Sequence, residues 1–139
     1  MKNIQTDIII KNDVRKVWEI LTDFKKYPLW NPFLIKVEQT SKDRLKIEAC
    51  LSYKNIMKFS SKIIVLTSPS ELRWIGGVPW IFQGEHYFSL KPLSCSETHL
   101  IHGENFSGSL AILSWPFMKK KIHNNFLRMN LALKERCEN

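Results

Sequence analysis

Asp23-Phe24-Lys25-Lys26-Tyr27-Pro28-Leu29-Trp30-Asn31-Pro32-Phe33 lies between a segment with helix spacing and a segment with strand spacing. Two prolines prevent a helix from running through it. The reading is therefore a loop, yet it carries Tyr27, Trp30 and Phe33. A solvated loop would leave all that apolar area in water. The segment is expected to fold back on something apolar, as the wall or rim of a cavity.

Upstream, Ile4, Thr6, Ile8 and Ile10 alternate with Gln5 and Asp7, as one face of a strand does. Asn12-Asp13 can cap a helix. Val14, Val17, Trp18, Leu21 and Phe24 then recur at steps of three and four, which puts them on one helical face. Trp18 and Phe24 read as core. Downstream the period is two. Ile35 and Val37 alternate with Lys36 and Glu38; Leu45, Ile47, Ala49 and Leu51 follow, then Phe59, Ser61, Ile63 and Val65, then Leu72, Trp74 and Gly76. Thr40-Ser41-Lys42-Asp43, Ser68-Pro69-Ser70 and Gly76-Gly77-Val78-Pro79 supply the turns.

Two further strands place Phe82, Gly84, His86, Phe88 and Leu90 on one face and Thr98, Leu100, His102, Glu104 and Phe106 on another. Their turn is expected from Pro92 to Ser96. After Ser114, read as an N-cap with Pro116 in the first turn, the period becomes helical. Trp115, Met118, Ile122, Phe126, Met129 and Leu133 share a face up to about Arg136, a helix of roughly 30 Å. Strand, helix, a run of about six strands and one long helix describe a single α+β domain over residues 1–139. A curved antiparallel sheet around a long helix cannot close tightly everywhere, so an internal cavity is expected.

The composition fits this. Of 139 residues, 44% are hydrophobic and 24% charged, and five Trp and eight Phe suit a dense core or a greasy pocket. The net charge of +8 permits an anionic partner, but the lysines are scattered and only Lys119-Lys120-Lys121 forms a run. That run, near Trp115, Phe117 and Met118, could touch an anionic membrane transiently; a solvated helix start is the plainer reading. Cys50, Cys95 and Cys137 lack metal or redox spacing and suit a reducing compartment, and a cytoplasmic location is expected. No nucleophile elbow, phosphate loop or nucleic-acid module is visible. No cofactor and no nucleic-acid partner are expected; the oligomeric state is open.

The inward strand faces carry a few polar residues. Pairing Leu90 with Thr98 sets Phe88 against Leu100, His86 against His102, Gly84 against Glu104 and Phe82 against Phe106. His86, His102 and Glu104 would then cluster on an apolar wall. Two imidazoles and a carboxylate could orient a ligand carbonyl or hydroxyl, or act as acid and base in an enolisation or aldol cyclisation. They could hold a metal, though no metal is expected, or simply satisfy one another. Trp74 is expected roughly opposite Gly84, whose missing side chain leaves room there. Asn31 can hold its own loop by bonding the local backbone.

The pattern from Asn12 to Phe33, N-D-V-x-x-V-W-E-x-L-T-D-F-x-x-Y-P-x-W-N-P-F, resembles the opening of polyketide cyclase/dehydrase-like members of the SRPBCC (START/birch-pollen-allergen-like) superfamily. Glu71-Leu72-Arg73-Trp74, Gly84-Glu85-His86-Tyr87-Phe88, Glu104-Asn105-Phe106-Ser107-Gly108 and Phe126-Leu127-Arg128-Met129-Asn130 match in the same order. The resemblance implies the helix-grip fold, a curved antiparallel sheet wrapped around the C-terminal helix with a hydrophobic cavity beneath it. Relatives bind lipids, sterols, polyketides, plant hormones or quinones, and some act as cyclases or aromatases.

The expected function is binding of a hydrophobic small molecule or lipid. The cavity lining is assigned to Trp30, Asn31, Phe33, Trp74, His86, His102, Glu104, Phe106, Phe126 and Met129. Access would need residues 28–33 or 108–115 to move. One alternative is a cyclase, dehydratase or isomerase using His86, His102 and Glu104 on a polyketide-like substrate. Another is an interaction protein whose pocket is largely filled by aromatics.

Overall fold

The computed structural model describes residues 1–139. Strand β1 (Lys2–Ile10) leads to helix α1 (Val14–Thr22), whose first turn is capped by the Asp13 side chain accepting from the Arg15 N–H. Strands β2 (Leu34–Gln39), β3 (Arg44–Ser52), β4 (Asn55–Thr67), β5 (Glu71–Val78), β6 (Phe82–Ser94) and β7 (Glu97–Ser107) follow, and helix α2 (Ser109–Glu138) closes the chain. The seven strands form one antiparallel sheet in the order β1-β7-β6-β5-β4-β3-β2. Register irregularities at Leu34/Lys36, Cys50/Ser52, Ile63/Val65 and Pro92/Ser94 interrupt four of the ladders. Each irregularity lets a strand bend.

The segment expected to be a loop is half helical. Phe24–Leu29 form a 3-10 helix that folds back with Phe24 and Tyr27 buried and Leu29 exposed. The Tyr27 hydroxyl donates to the Leu21 carbonyl. Asn31 then ends the turn, its Oδ1 accepting from the N–H groups of Phe33 and Leu34 at 2.9 Å each. Phe24, Tyr27 and Phe33 thus stay out of water, Trp30 is half-buried, and the asparagine holds the local backbone.

Helix α2 begins five residues before the expected Ser114. The cap position is Gly108, at φ 104°, where a Cβ would meet the Ile81 carbonyl oxygen at 2.4 Å. The first N–H groups of the helix, those of Ser109 and Leu110, bond to the carbonyls of Trp80 and Ile81 at 2.9 Å. Tertiary contacts therefore replace the side-chain cap that the sequence reading sought at Ser114. Ser114 instead donates to the Leu110 carbonyl within the helix. Thirty residues span about 45 Å, so α2 crosses the whole sheet. Its inward face, Phe126, Met129, Leu133 and Cys137, is buried, whereas Trp115, Met118 and Ile122 remain partly exposed.

The β6–β7 pairing differs from the expected one by two residues. His86 faces Glu104, Phe88 faces His102, Gly84 faces Phe106 and Leu90 faces Leu100. The turn is confined to Cys95-Ser96, and the irregularity at Pro92/Ser94 sets the ladder beyond it. Because the shift is even, every side chain keeps its face. Trp74 correspondingly faces His86 rather than Gly84, which faces Gly76.

Candidate functional site

Two adjacent rows cross the inner face of the sheet. One runs Ile63, Trp74, His86, Glu104, Ile4; the other runs Leu45, Ser61, Gly76, Gly84, Phe106. Trp74 stacks on His86 at 5.1 Å between ring centroids. His102 is held between Phe88 and Phe126, with centroids 4.4 and 4.3 Å away. Phe33 packs on Phe126 with ring centroids 5.7 Å apart. This half of the interior is closed: Trp74, Phe88, His102, Phe126 and Met129 all have at most 2% exposure.

Within it the polar groups form one directed chain. The Thr6 hydroxyl donates to the His102 carbonyl at 2.9 Å. Its oxygen accepts from Asn130 Nδ2 at 2.8 Å. That turns the Asn130 oxygen toward His102 Nδ1, 2.7 Å away, and an amide oxygen only accepts. His102 therefore carries its hydrogen on Nδ1 and a lone pair on Nε2. His86 Nε2 lies 2.7 Å from that lone pair and must be the donor. The last free position is the lone pair of His86 Nδ1, and it faces Glu104 Oε1 at 3.4 Å.

Burial also sets the charge state of the three groups. Burial lowers His86 to about 3. His102 is lowered well below its ordinary value by burial and by its neighbour His86, against the opposing Asn130 hydrogen bond. Burial raises Glu104 to about 8. At neutral pH all three are uncharged, and Glu104 is a carboxylic acid with a hydrogen to give. Its side chain is 17% exposed, so the directed chain ends where solvent or a ligand can reach it. A metal shared by the two histidines is not accommodated: their Nε2 atoms are hydrogen-bonded to each other, and two metal–nitrogen bonds of about 2 Å need the ion between them.

Gly84 makes the place for the acid. A Cβ there would sit 2.1 Å from Glu104 Oε2. Beside it, a Cβ on Gly76 would meet Ser61 Oγ at 2.5 Å, and that buried hydroxyl has no hydrogen-bond partner. Ser61, Gly76 and Gly84 thus form a strip of little side-chain bulk across β4, β5 and β6. Leu51, Phe59, Phe82, Trp115, Met118 and Ile122 are apolar side chains that pack against the core but are only partly buried. This part of the inner face, toward the first half of α2, thus carries little side-chain bulk and two polar groups, Ser61 and Glu104, and is the candidate recess.

The ten residues expected to line a cavity separate accordingly. Glu104 and Phe106 stand at the recess, Phe106 packing on Phe82 and Trp115. Trp74, His86, His102, Phe33, Phe126 and Met129 form the closed part behind it. Asn31 is tied to its own loop. Trp30 packs on Tyr27 and borders an outer cleft of about 420 Å³ with Leu29, Ala132, Glu135, Arg136 and Asn139. Residues 108–115, one of the two segments whose movement would give access, are mostly the first turns of α2. The sequence reading missed Thr6, Ser61 and Gly76 as site residues. Thr6 had a usable signal, a hydroxyl at an inward position between Ile4 and Ile8. Ser61 had the same signal between Phe59 and Ile63.

Residues 10–129 match the profile of the family described as polyketide cyclase / dehydrase and lipid transport. The chain belongs to that family. As a polyketide cyclase/dehydrase and lipid transport family member it shares its fold with solved structures of low sequence identity. A START superfamily protein from Mycobacterium smegmatis superposes with a TM-score of 0.83 at 17% identity, covering 98% of this chain and 97% of that one. The Zhui aromatase/cyclase from Streptomyces sp. R1128 gives 0.80 at 13% identity, covering 99% and 93%. TTHA0849 from Thermus thermophilus gives 0.81 at 11% identity, covering 99% and 97%. No curated protein sequence matches the chain. These likenesses show the helix-grip fold of this chain; none of its own helices is long and apolar enough to cross a membrane.

Proposed function

We propose that this family member binds a hydrophobic small molecule or lipid in the recess between the first half of α2 and the strip Ser61-Gly76-Gly84. The ligand's carbonyl or hydroxyl would face Glu104. The observation that carries the reading is the Glu104 carboxyl itself. It is uncharged near neutrality, rests on a glycine and stands 3.4 Å from the His86 Nδ1 lone pair at which the hydrogen-bond chain of Thr6, Asn130, His102 and His86 stops. A buried neutral acid suits a ligand oxygen better than it suits water, because its one hydrogen can turn from His86 Nδ1 to that oxygen. The flanking aromatics would supply burial, and His86 would hold the acid in place without touching the ligand.

A second reading rests on the same direction of donors. An acid can protonate a leaving hydroxyl or a carbonyl, and the carboxylate it becomes can then take a proton from the carbon alpha to the substrate's carbonyl, which restores the acid and is what a dehydration or aldol cyclisation of a polyketide-like substrate requires. The two readings share the site and differ in the fate of the ligand.

Titration with the neutral fluorophore N-phenyl-1-naphthylamine tests the binding reading. Saturable one-to-one enhancement is expected, with loss in Met118→Trp or Ile122→Trp, which fill the recess. Enhancement that is unsaturable, or unchanged in both variants, would refute the assignment. Glu104→Gln separates binding from chemistry. It should weaken a ligand with a carbonyl or hydroxyl end severalfold, and it should abolish turnover of a polyketide-like substrate if the second reading is right.

A further inference from the structure

We infer that the end of the molecule bearing the β5–β6 turn and the start of α2 docks on an anionic lipid bilayer. This rests on the surface alone and not on the interior recess. Over its first turns α2 is apolar on two sides. Ala111, Trp115, Met118 and Ile122 face the sheet, while Leu110, Leu113 and Phe117, at steps of three and four, face outward. Leu113 is 74% and Phe117 87% exposed. A solvated helix normally presents a polar stripe there.

The outward stripe is continuous with the neighbouring turn. The Ser109 and Leu110 N–H groups bond to the Trp80 and Ile81 carbonyls, which brings Val78, Trp80 and Ile81, all exposed, alongside Leu110. Trp80 is 89% exposed and sits at φ 71°. An indole at the tip of a turn, in a left-handed conformation that glycine or asparagine adopts more cheaply, serves no packing purpose in the isolated molecule. The β3–β4 hairpin projects from the same end of the sheet and carries Tyr53, also 89% exposed, with Lys54 beside it.

Charge selects the occupant. Lys119, Lys120 and Lys121 follow the apolar stripe directly, and all three are exposed. Residues 49–70, 72–84 and 105–134 contain no Asp or Glu. The turn, the hairpin and the first five turns of the helix therefore offer lysines and aromatics with no carboxylate among them. Exposed Trp, Tyr and Phe bordered by lysines match the headgroup region of an anionic bilayer, where aromatic rings sit at the interface and ammonium groups meet phosphate. An acidic protein or a second copy of this chain is the competing occupant. A second copy would set Lys119–Lys121 against an equally basic face.

Co-sedimentation with vesicles of phosphatidylcholine, with and without phosphatidylglycerol, decides this. Binding is expected only with the anionic lipid, and it should be lost in about 0.5 M salt, where screening confines charge effects to a few ångströms. A blue shift of tryptophan emission should accompany binding and vanish in Trp80→Phe, which should still bind. Replacing Lys119, Lys120 and Lys121 by Gln should weaken binding roughly 100-fold, about fivefold per lysine. Leu113→Ser with Phe117→Ser should weaken it at least tenfold with unchanged circular dichroism, since both side chains are exposed. Absence of vesicle binding, or binding indifferent to these variants, overturns the inference. So does self-association in sedimentation velocity that the Leu113→Ser/Phe117→Ser variant abolishes, with no vesicle binding.

Discussion

Replacing Glu104 by Gln should stabilise the protein at alkaline pH and change little near pH 5. Glutamine has the shape of the neutral acid and keeps a hydrogen for His86 Nδ1, but it never ionises. Burial raises the Glu104 carboxyl from 4.5 to about 8. Between those values the folded state keeps a proton that the unfolded state has released, so stability falls as pH rises through that window and levels off above it. At 1.36 kcal/mol per unit, the ceiling is about 5 kcal/mol. The side chain is 17% exposed and can turn partly to water, so roughly 2–4 kcal/mol is the working figure. With an unfolding entropy of about 2.1 cal/mol/K per residue, that is about 7–14 °C in Tm for a chain of this length. Thermal melts followed by circular dichroism at pH 5, 7 and 9 measure it. The variant should exceed the parent by this margin at pH 9, by less at pH 7 and hardly at all at pH 5. A difference that does not grow with pH would refute the reasoning, because Glu104 would then be ionised and solvated in the folded protein.

The histidines set the opposite limb of the same curve. His86 is lowered from 6.5 to about 3 and His102 is lowered as well, so both contribute stability that is complete above pH 6.5 and is lost as the unfolded chain takes up protons below it. Together with Glu104 they place the maximum near pH 6.5, which a Tm-against-pH series would show; a maximum below pH 5 would contradict it. Asn130→Leu should cost about 2–4 kcal/mol in urea unfolding, since it strands the His102 Nδ1 hydrogen and the Thr6 oxygen in a dry interior. Gly84→Ala should push the Glu104 carboxyl off its place and toward water. In that background the pH-dependent margin gained by Glu104→Gln should shrink by more than half, as the same melts would show.

Much of the fold was readable because it is written in periods. The alternation from Ile4 to Ile10, the three- and four-residue steps from Val14 to Phe24 and the long stripe from Trp115 to Leu133 each turn the predicted face inward, though Ile8, Val14, Trp115, Met118 and Ile122 are only partly buried. Asp13 caps α1 as its side chain suggested. Alternation also put His86, His102 and Glu104 on the inner face of the sheet, since a two-residue error in pairing leaves faces unchanged. Partners were a different matter. Which residue stands opposite which depends on the turn at Cys95-Ser96 and the irregularity beside it, and neither has a period. The start of α2 was misplaced for a related reason: its first N–H groups are satisfied by Trp80 and Ile81, nearly thirty residues earlier in the chain.

The sequence alone determined the architecture, the inward faces and the presence of three ionisable groups on an apolar wall, because burial of alternating or helically spaced side chains is a local property of the chain. Tertiary structure alone decided what those groups are. Asn130 from the last helix and Thr6 from the first strand fix the tautomer of His102, and through it that of His86. Gly84 makes room for the acid, and the packed aromatics remove the water that would otherwise ionise it. Likewise the lysine run at 119–121 was visible as a run, but only the bonds from Ser109 and Leu110 to the β5–β6 turn placed it in line with Phe117, Leu113 and Trp80. Hydrogen-bond direction, solvent exclusion and surface continuity are relations between distant residues, and they exist only once the chain has closed on itself.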